Sequence, residues 1–287
     1  MSEWLDTSNS IIPDCRIALL GGARHVSVGL GLTIRAAHIE RGERECLSAA
    51  AAALSTYTGP AARIIEAGAF AGITLGPLLG TLERPKAGIV MTTNLDLRQF
   101  ERLRTTDTTA ELTHLHHDAT QYQWPLAPIG TGTTLLFMGG GGFGFTQSND
   151  AFTILENASQ SLTKGDMIAV TLEMDRDGAV LDAVYCDFGH QIVNQALTSL
   201  GKAEGLEPRT FYDPTGKRVR FGAVATKGAS ISWNGTRCTF EGGAWLDVGA
   251  MALHTVDTMG DLHPDFEARD QWQSHDKAVT LLLLRKT

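Results

Sequence analysis

The stretch Arg63-Ile64-Ile65-Glu66-Ala67-Gly68-Ala69-Phe70-Ala71-Gly72 decides the fold of this 287-residue chain. Its apolar first half predicts a short buried strand, and its glycines predict a tight turn into a helix. Because glycine has no Cβ, the backbone at Gly68 and Gly72 can pass close to a bound ligand. Glu66 stands at the end of the predicted strand, where its carboxylate can reach a ligand amine or hydroxyl.

Strand-like and helix-like segments alternate after this motif. Strands are predicted at 61–66, 88–92, 111–116, 133–138 and 167–172, with helices at 74–82, 96–104 and 149–162. This alternation predicts an α/β fold, a doubly wound parallel sheet with helices on both faces. Residues 278–284 predict a final core strand, and short antiparallel strands are predicted at 218–226, 230–233 and 238–241.

The same pattern predicts three parts of the chain. Residues 1–60 form an N-terminal helical cap. Residues 61–184 and 256–287 form a Rossmann-like ligand-binding domain, and residues 185–255 form a small α+β cap or substrate region.

Composition excludes several classes of protein. The net charge of −8 and the absence of a basic stripe argue against a nucleic-acid partner. No apolar run reaches membrane-spanning length, and the acidic first residues do not form a secretory signal, so we expect a cytoplasmic protein. The four cysteines form no Cys-x-x-Cys pair, and His114, His116 and His117 lack a further ligand, so no metal is expected.

Open α/β sheets bind ligands at the carboxyl ends of their strands, and the residues predicted there form one set. The set consists of Glu66, Gly68 and Gly72 after the first strand, Thr93 and Asn94 after the second, Asp118 and Ala119 after the third, and Gly139 and Gly140 after the fourth. Thr93 and Asn94 suit a ribose, and Asp118 suits an adenine amino group. This arrangement is how S-adenosylmethionine (SAM) is held in methyltransferase-like folds. Nicotinamide, Walker and Gly-x-Ser-x-Gly fingerprints are absent from the sequence.

Several motifs add to this hypothesis through their order and spacing. They lie at residues 41–47, 66–68, 135–139, 144–146, 162–166 and 212–214. Together they resemble the histidine-specific N-α-methyltransferase family of ergothioneine biosynthesis, over residues 40–287. The resemblance implies a class I SAM-dependent methyltransferase fold with a small substrate region. It also implies SAM as a ligand of Glu66, Gly68, Asp118 and Gly139.

The sequence departs from that family where the substrate amino acid is held. The family has an Asn before its Phe-Thr pair, and here the residue is Gly144. The family's Glu-Asn-Ser run, which reads the imidazole, is matched by Val248-Gly249-Ala250. Leaving polar groups of a substrate unpaired costs about 1–3 kcal/mol each, so histidine is not the expected substrate.

Three functions follow, and each needs only small-molecule partners. The preferred hypothesis is that the SAM amine attacks its own γ-carbon, as in azetidine-2-carboxylate synthases, and releases methylthioadenosine. The alternative is N-methylation of a small amine or an amino acid other than histidine, and a third is a SAM-binding regulator without activity. For cyclisation, Tyr185 and Asp187 are predicted to position or deprotonate the amine. Phe143 and Phe145 are predicted to face the sulfonium, which aromatic rings attract.

Overall fold

The computed structural model describes residues 37–68, 72, 74–82, 85, 87–92, 97–105, 110–121, 124–126, 132–139, 143, 148–200, 202–233 and 236–287. In these ranges the chain forms helices and strands in two groups. The helices are α1 (Ala37–Thr58), α2 (Leu75–Thr81), α3 (Leu97–Thr105), α4 (Ser148–Ser161), α5 (Gly178–Leu200) and α6 (Val256–Gly260). The strands are β1 (Arg63–Ala67), β2 (Ala87–Met91), β3 (Glu111–Leu115), β4 (Thr134–Met138), β5 (Met167–Glu173), β6 (Lys202–Asp213), β7 (Arg218–Trp233), β8 (Thr236–Phe240), β9 (Trp245–Ala252), β10 (Phe266–Gln273) and β11 (Val279–Lys286).

A seven-stranded sheet runs in the order β10-β11-β5-β4-β1-β2-β3. Strands β1 to β5 pair in parallel, as predicted from the alternating pattern. Every residue of β1, β4 and β5 is buried. Parallel strands covered on both faces form nearly continuous apolar runs, which is why the sequence identifies them. The predicted α/β fold is confirmed.

The last strand departs from a purely parallel sheet. β11 pairs antiparallel with both β5 and β10. The connection between β10 and β11 is a short turn, in which Ser274 N–H donates to the Val279 carbonyl at 2.9 Å and Lys277 has a φ of 59°. A parallel pairing requires a crossover of about a dozen residues or more, so this turn imposes the antiparallel pairing of β10 with β11.

Helix α1 packs on β10 and β11 through a buried stripe. The apolar members of that stripe include Ile39, Cys46, Leu47, Ala50 and Leu54. A Cβ on Gly42 would lie 2.5 Å from Val279 Cγ2 and 2.7 Å from its Cβ, closer than real side chains approach. Glycine at this position therefore allows the helix to contact the strand directly.

The described residues form two compact units. One unit contains residues 37–175 with Ala252–Thr287, so that α1 belongs with the seven-stranded sheet. The other unit is Arg176–Met251. The three-part division drawn from the sequence stays a prediction.

The unit Arg176–Met251 pairs α5 with a small sheet. Strands β6, β7 and β8 are antiparallel neighbours, as predicted for this part of the chain, and β9 pairs with β7. The segments predicted separately at 218–226 and 230–233 form one strand, β7. The sequence pattern did not predict α5, whose buried side packs on β6 and β7. No helix in the described ranges combines the length and apolar character needed to cross a bilayer.

We expect Gly42→Ala to lower the free energy of unfolding by about 1–3 kcal/mol, the usual cost of adding atoms to a packed interior. Val279 is β-branched and is fixed by the strand, so its side chain cannot rotate away from the new methyl group. Chemical denaturation measures the change.

Gly80→Ala is the matched control, because no atom lies within 4 Å of its added Cβ and the residue also lies in a helix. Its stability should stay constant or rise by up to about 1 kcal/mol. Equal stability of Gly42→Ala and the wild type would contradict the close helix–strand contact.

Burial raises the pKa of the Cys46 thiol from 9.0 to about 11. At pH 8 this thiol should therefore resist iodoacetamide, whereas the half-buried Cys186 should react. Because the unfolded thiol ionises near 9.0 and the folded one near 11, stability should fall as the pH rises through this window. Peptide mass spectrometry after timed alkylation checks the order of reaction. Equal alkylation rates at the two cysteines would disprove the assignment.

Candidate functional site

The parallel strands bring the predicted site residues to one edge of the large sheet. Gly68 follows β1, Thr92 follows β2 and Gly139 follows β4. The strand order reverses between β1 and β4, because β2 and β3 lie on one side of β1 and β4 and β5 lie on the other. Ligands of open α/β sheets bind at such a switch point, outside the carboxyl ends of the strands. The candidate site is therefore the crevice between the ends of β1 and β4.

Glu66 lies at this edge and is 1% exposed. Its Oε2 accepts hydrogen bonds from Gly72 N–H at 2.8 Å and Leu75 N–H at 2.7 Å. Its Oε1 accepts one from Thr74 N–H at 2.8 Å. The carboxylate thus fixes the turn after β1 and satisfies N–H groups at the start of α2, which have no helical partners. The sequence did not reveal this role, and direct contact between Glu66 and a ligand stays a prediction.

The glycines of the turn are required by backbone conformation. Gly68 has a φ of 102° and Gly72 a φ of 96°, both in the region that favours glycine. Added Cβ atoms would meet the nearest side chains, Met138 and Val90, at 3.5 and 3.4 Å, which is ordinary contact. These two residues let the chain reverse direction, so that the amides of the turn can converge on Glu66.

Gly139 is required for a different reason, which is space. An added Cβ would lie 2.3 Å from the Phe137 ring and 2.7 Å from Glu43 Oε2. Glu43 comes from α1, is 2% exposed, and accepts hydrogen bonds from Thr74 Oγ1 at 2.7 Å and Thr171 Oγ1 at 2.8 Å. The sequence analysis did not select this residue. The available signal was its place four residues after Ile39, on the helical stripe that is otherwise apolar.

A second pair from α1 reaches the end of β5. His38 Nε2 contacts Glu173 Oε2, and Glu173 Oε1 accepts a hydrogen bond from Asp175 N–H at 2.9 Å. The nearest buried basic group on β1 is Arg63, which lies at the strand's opposite end and contacts Thr134. Burial lowers the pKa of its guanidinium. The carboxyl edge of this sheet is therefore rich in buried carboxylates, an arrangement that favours a cationic ligand.

The loop after β3 contains the predicted residues Asp118 and Ala119. Asp118 Oδ1 accepts from both the N–H and the hydroxyl of Thr120 at 2.9 Å, which closes a local turn. The Ala119 carbonyl accepts from Trp124 Nε1 at 3.0 Å and Asn157 Nδ2 at 3.3 Å. Asn157, fully buried in α4, was not predicted as a site residue, and it orders the loop from below.

The predicted aromatic and catalytic residues are distributed between the two units. Phe143 is fully buried, and its ring centroid lies 5.7 Å from that of His254. Tyr185 is buried in the unit Arg176–Met251, where its ring packs near Phe188, and Asp187 is exposed on the same helix. Their catalytic roles stay predictions.

Four predicted site residues lie outside the described residues: Thr93, Asn94, Gly140 and Phe145. In the described part of the chain, no cluster of three His, Cys, Asp or Glu side chains is placed to hold a metal ion.

We expect Glu66→Gln to lower the free energy of unfolding by roughly 2–4 kcal/mol, because the amide nitrogen would replace an oxygen that accepts backbone N–H groups. Hydrogen exchange should become faster at the amides of Gly72, Thr74 and Leu75. Exchange mass spectrometry and chemical denaturation measure the two effects.

Glu207→Gln provides the control, since this carboxylate is exposed and pairs only loosely with Arg209 at 3.3 Å. It should change stability by less than about 0.5 kcal/mol. If both variants behaved alike, Glu66 would not hold the turn.

Comparison with solved structures gives three informative similarities. The CcbJ methyltransferase of Streptomyces caelestis has a TM-score of 0.50 at 9% identity, over 85% of this chain and 94% of that one. The 1,6-didemethyltoxoflavin-N1-methyltransferase of Burkholderia thailandensis has a TM-score of 0.47 at 10% identity, over 96% and 91%. The amino pentose methyltransferase CalS10 of Micromonospora echinaspora has a TM-score of 0.43 at 11% identity, over 84% and 89%.

At these identities the likeness to CcbJ bears on the fold alone, and it agrees with the predicted class I SAM-dependent methyltransferase fold. A search of curated protein sequences found no match. A sequence model of one family, described as histidine-specific, SAM-dependent methyltransferases, matches residues 38–286. The chain therefore belongs to this family of SAM-dependent enzymes.

Proposed function

We propose that the chain binds SAM in the crevice between the carboxyl ends of β1 and β4. The bare backbone at Gly139, where a Cβ would collide with Phe137 and Glu43, supports this position. The buried carboxylates of Glu66 and Glu43 suit a ligand that carries a positive charge. The chain's residues therefore fit SAM, which when bound supplies a sulfonium that activates its attached carbons toward nucleophiles.

Each part of SAM has candidate partners along the strand ends. Gly68, Gly72 and Gly139, with Glu66, are proposed to surround the methionine portion. Thr93 and Asn94 are proposed to hydrogen-bond the ribose. Asp118 and Ala119 are proposed to hold the adenine, with Gly140 beside it. The bonds from Trp124 and Asn157 to the Ala119 carbonyl support the adenine position, because they fix the loop before any ligand arrives.

The acceptor is proposed not to be histidine. The segment Val248-Gly249-Ala250, which matches the family's imidazole-reading run, lies in β9 and offers no polar side chain. Nothing lies within 4 Å of an added Cβ at Gly249, so space is present while hydrogen-bonding groups are not. An imidazole placed there would lose its polar partners at a cost of about 1–3 kcal/mol per group.

The reaction proposed first is cyclisation of SAM. The neutral α-amine nitrogen forms a bond to the γ-carbon while the bond from that carbon to sulfur breaks. The electron pair of the broken bond goes to sulfur, and methylthioadenosine leaves as a neutral thioether. The ring nitrogen then loses its extra proton, which gives azetidine-2-carboxylate. The observation that carries this proposal is the loss of acceptor-binding polar residues at Gly144 and at 248–250.

A second candidate is methyl transfer to another small amine or amino acid. The family match over residues 38–286 favours it, because the family is described by methyl transfer. In this reaction the product from SAM is S-adenosylhomocysteine, whereas cyclisation gives methylthioadenosine.

The test is incubation of the purified chain with SAM alone, followed by mass spectrometry. Cyclisation predicts methylthioadenosine and azetidine-2-carboxylate in equal amounts, with the α-nitrogen of ¹⁵N-labelled SAM retained in the ring. Methyl transfer predicts intact SAM until an amine is added, and S-adenosylhomocysteine afterwards. That second pattern would overturn cyclisation.

A reaction without protein is the necessary control, because the carboxylate of SAM also expels methylthioadenosine and gives homoserine lactone. Only the azetidine, and not the thioether, therefore counts as evidence for enzymatic cyclisation. Failure to bind or consume SAM under any of these conditions would overturn the proposed function as a whole.

A further inference from the structure

Glu43 connects three parts of the molecule at the candidate crevice. Its carboxylate comes from α1, accepts the Thr74 hydroxyl of the turn after β1, and accepts the Thr171 hydroxyl of β5. Its Oε2 also stands 2.7 Å from the position of a Cβ on Gly139, at the end of β4. The packing around Gly139 therefore leaves room for this oxygen, which any larger residue would displace.

A glutamate is an expensive choice for this position on α1. The neighbouring stripe residues Ile39, Cys46, Leu47 and Ala50 are apolar and buried. Burying a carboxylate costs several kcal/mol, and apolar replacements of buried charges are often neutral or stabilising. The hydroxyls of Thr74 and Thr171 are neutral donors, so they orient the charge without cancelling it. Packing alone does not account for the charge.

Thr74 joins Glu43 to the carboxylate that holds the turn. Its N–H donates to Glu66 Oε1 at 2.8 Å, and its hydroxyl donates to Glu43 Oε1 at 2.7 Å. Two buried carboxylates are thus held close to one residue, beside the ends of β1 and β4. Like charges at this separation destabilise each other, and a bound cation relieves that repulsion.

We propose that Glu43 is a specificity-determining residue, which makes the crevice prefer cationic SAM over its neutral products. This inference rests on the proposed binding of SAM at this edge. SAM carries a sulfonium, whereas S-adenosylhomocysteine and methylthioadenosine are both thioethers without that charge. Glu43 therefore strengthens binding before the reaction and weakens retention of the product after it, whichever of the two reactions occurs.

Glu43→Gln separates charge from shape. Glutamine keeps one oxygen for a hydroxyl donor, and a threonine hydroxyl can rotate to accept from the new amide group. Titration calorimetry should show a loss of SAM affinity of about tenfold or more, from removal of one partly buried charge. Affinity for S-adenosylhomocysteine should change less than about twofold. The Kd ratio of the two ligands is the decisive readout, because a purely structural role would weaken both alike.

Glu40→Gln is the matched control on the same helix, since its side chain is 44% exposed and pairs with Arg44. It should leave both affinities unchanged. Equal loss of affinity for both ligands in Glu43→Gln, or no loss for either, would overturn the inference while leaving SAM binding intact. If the wild-type chain bound neither ligand, the proposed function itself would fail.

The wild-type chain offers a test that does not depend on the folding of any variant. Sinefungin carries a protonated amine near the position of the sulfonium and should bind more tightly than S-adenosylhomocysteine. If the wild-type chain bound S-adenosylhomocysteine as tightly as SAM and sinefungin, the proposed charge preference would be wrong.

Discussion

The carboxyl edge of the large sheet depends on one buried carboxylate, that of Glu66. The chain leaves β1 directly after this residue and must turn into α2, which exposes backbone N–H groups that have no helical partner. Gly72, Thr74 and Leu75 donate three of these groups to Glu66. Hydrogen bonds to an ionised acceptor are about twice as strong as neutral ones, so a single side chain suffices to hold the turn. The positive φ values of Gly68 and Gly72 allow the turn to converge on it.

A second carboxylate links this turn to the rest of the unit. Glu43 reaches Thr74 from α1 and Thr171 from β5, so the helix, the turn and the sheet share one layer of polar contacts. The same layer lies next to the switch point of the strand order, where α/β sheets bind ligands. In this protein the groups that hold the fold together at the sheet edge also set the charge that a ligand meets there. A family that uses a sulfonium compound is chemically consistent with that charge.

The sequence predicted the large sheet better than the small unit, for identifiable reasons. Strands β1, β4 and β5 are buried on both faces and leave apolar runs that are easily recognised. Strand β10 is mostly exposed and its sequence, Phe-Glu-Ala-Arg-Asp-Gln-Trp-Gln, has no comparable pattern. Helix α5 contains valine, tyrosine, phenylalanine and isoleucine, residue types typical of strands, and is helical because its stripe packs on β6 and β7. Propensity alone does not distinguish these outcomes.

By itself, the sequence determined the α/β class, the parallel strands and the residues that follow them, because burial on both faces and glycine turns leave local signals. Only the tertiary structure decided which polar side chains meet at those strand ends. Glu43 lies beside the exposed pair Glu40 and Arg44 in the sequence, and it faces inward because Gly42 lets α1 contact Val279. Asn157 likewise reaches the Ala119 loop only because α4 packs beneath it. Contacts between residues distant in the chain depend on how helices pack on the sheet, and no local pattern encodes that geometry.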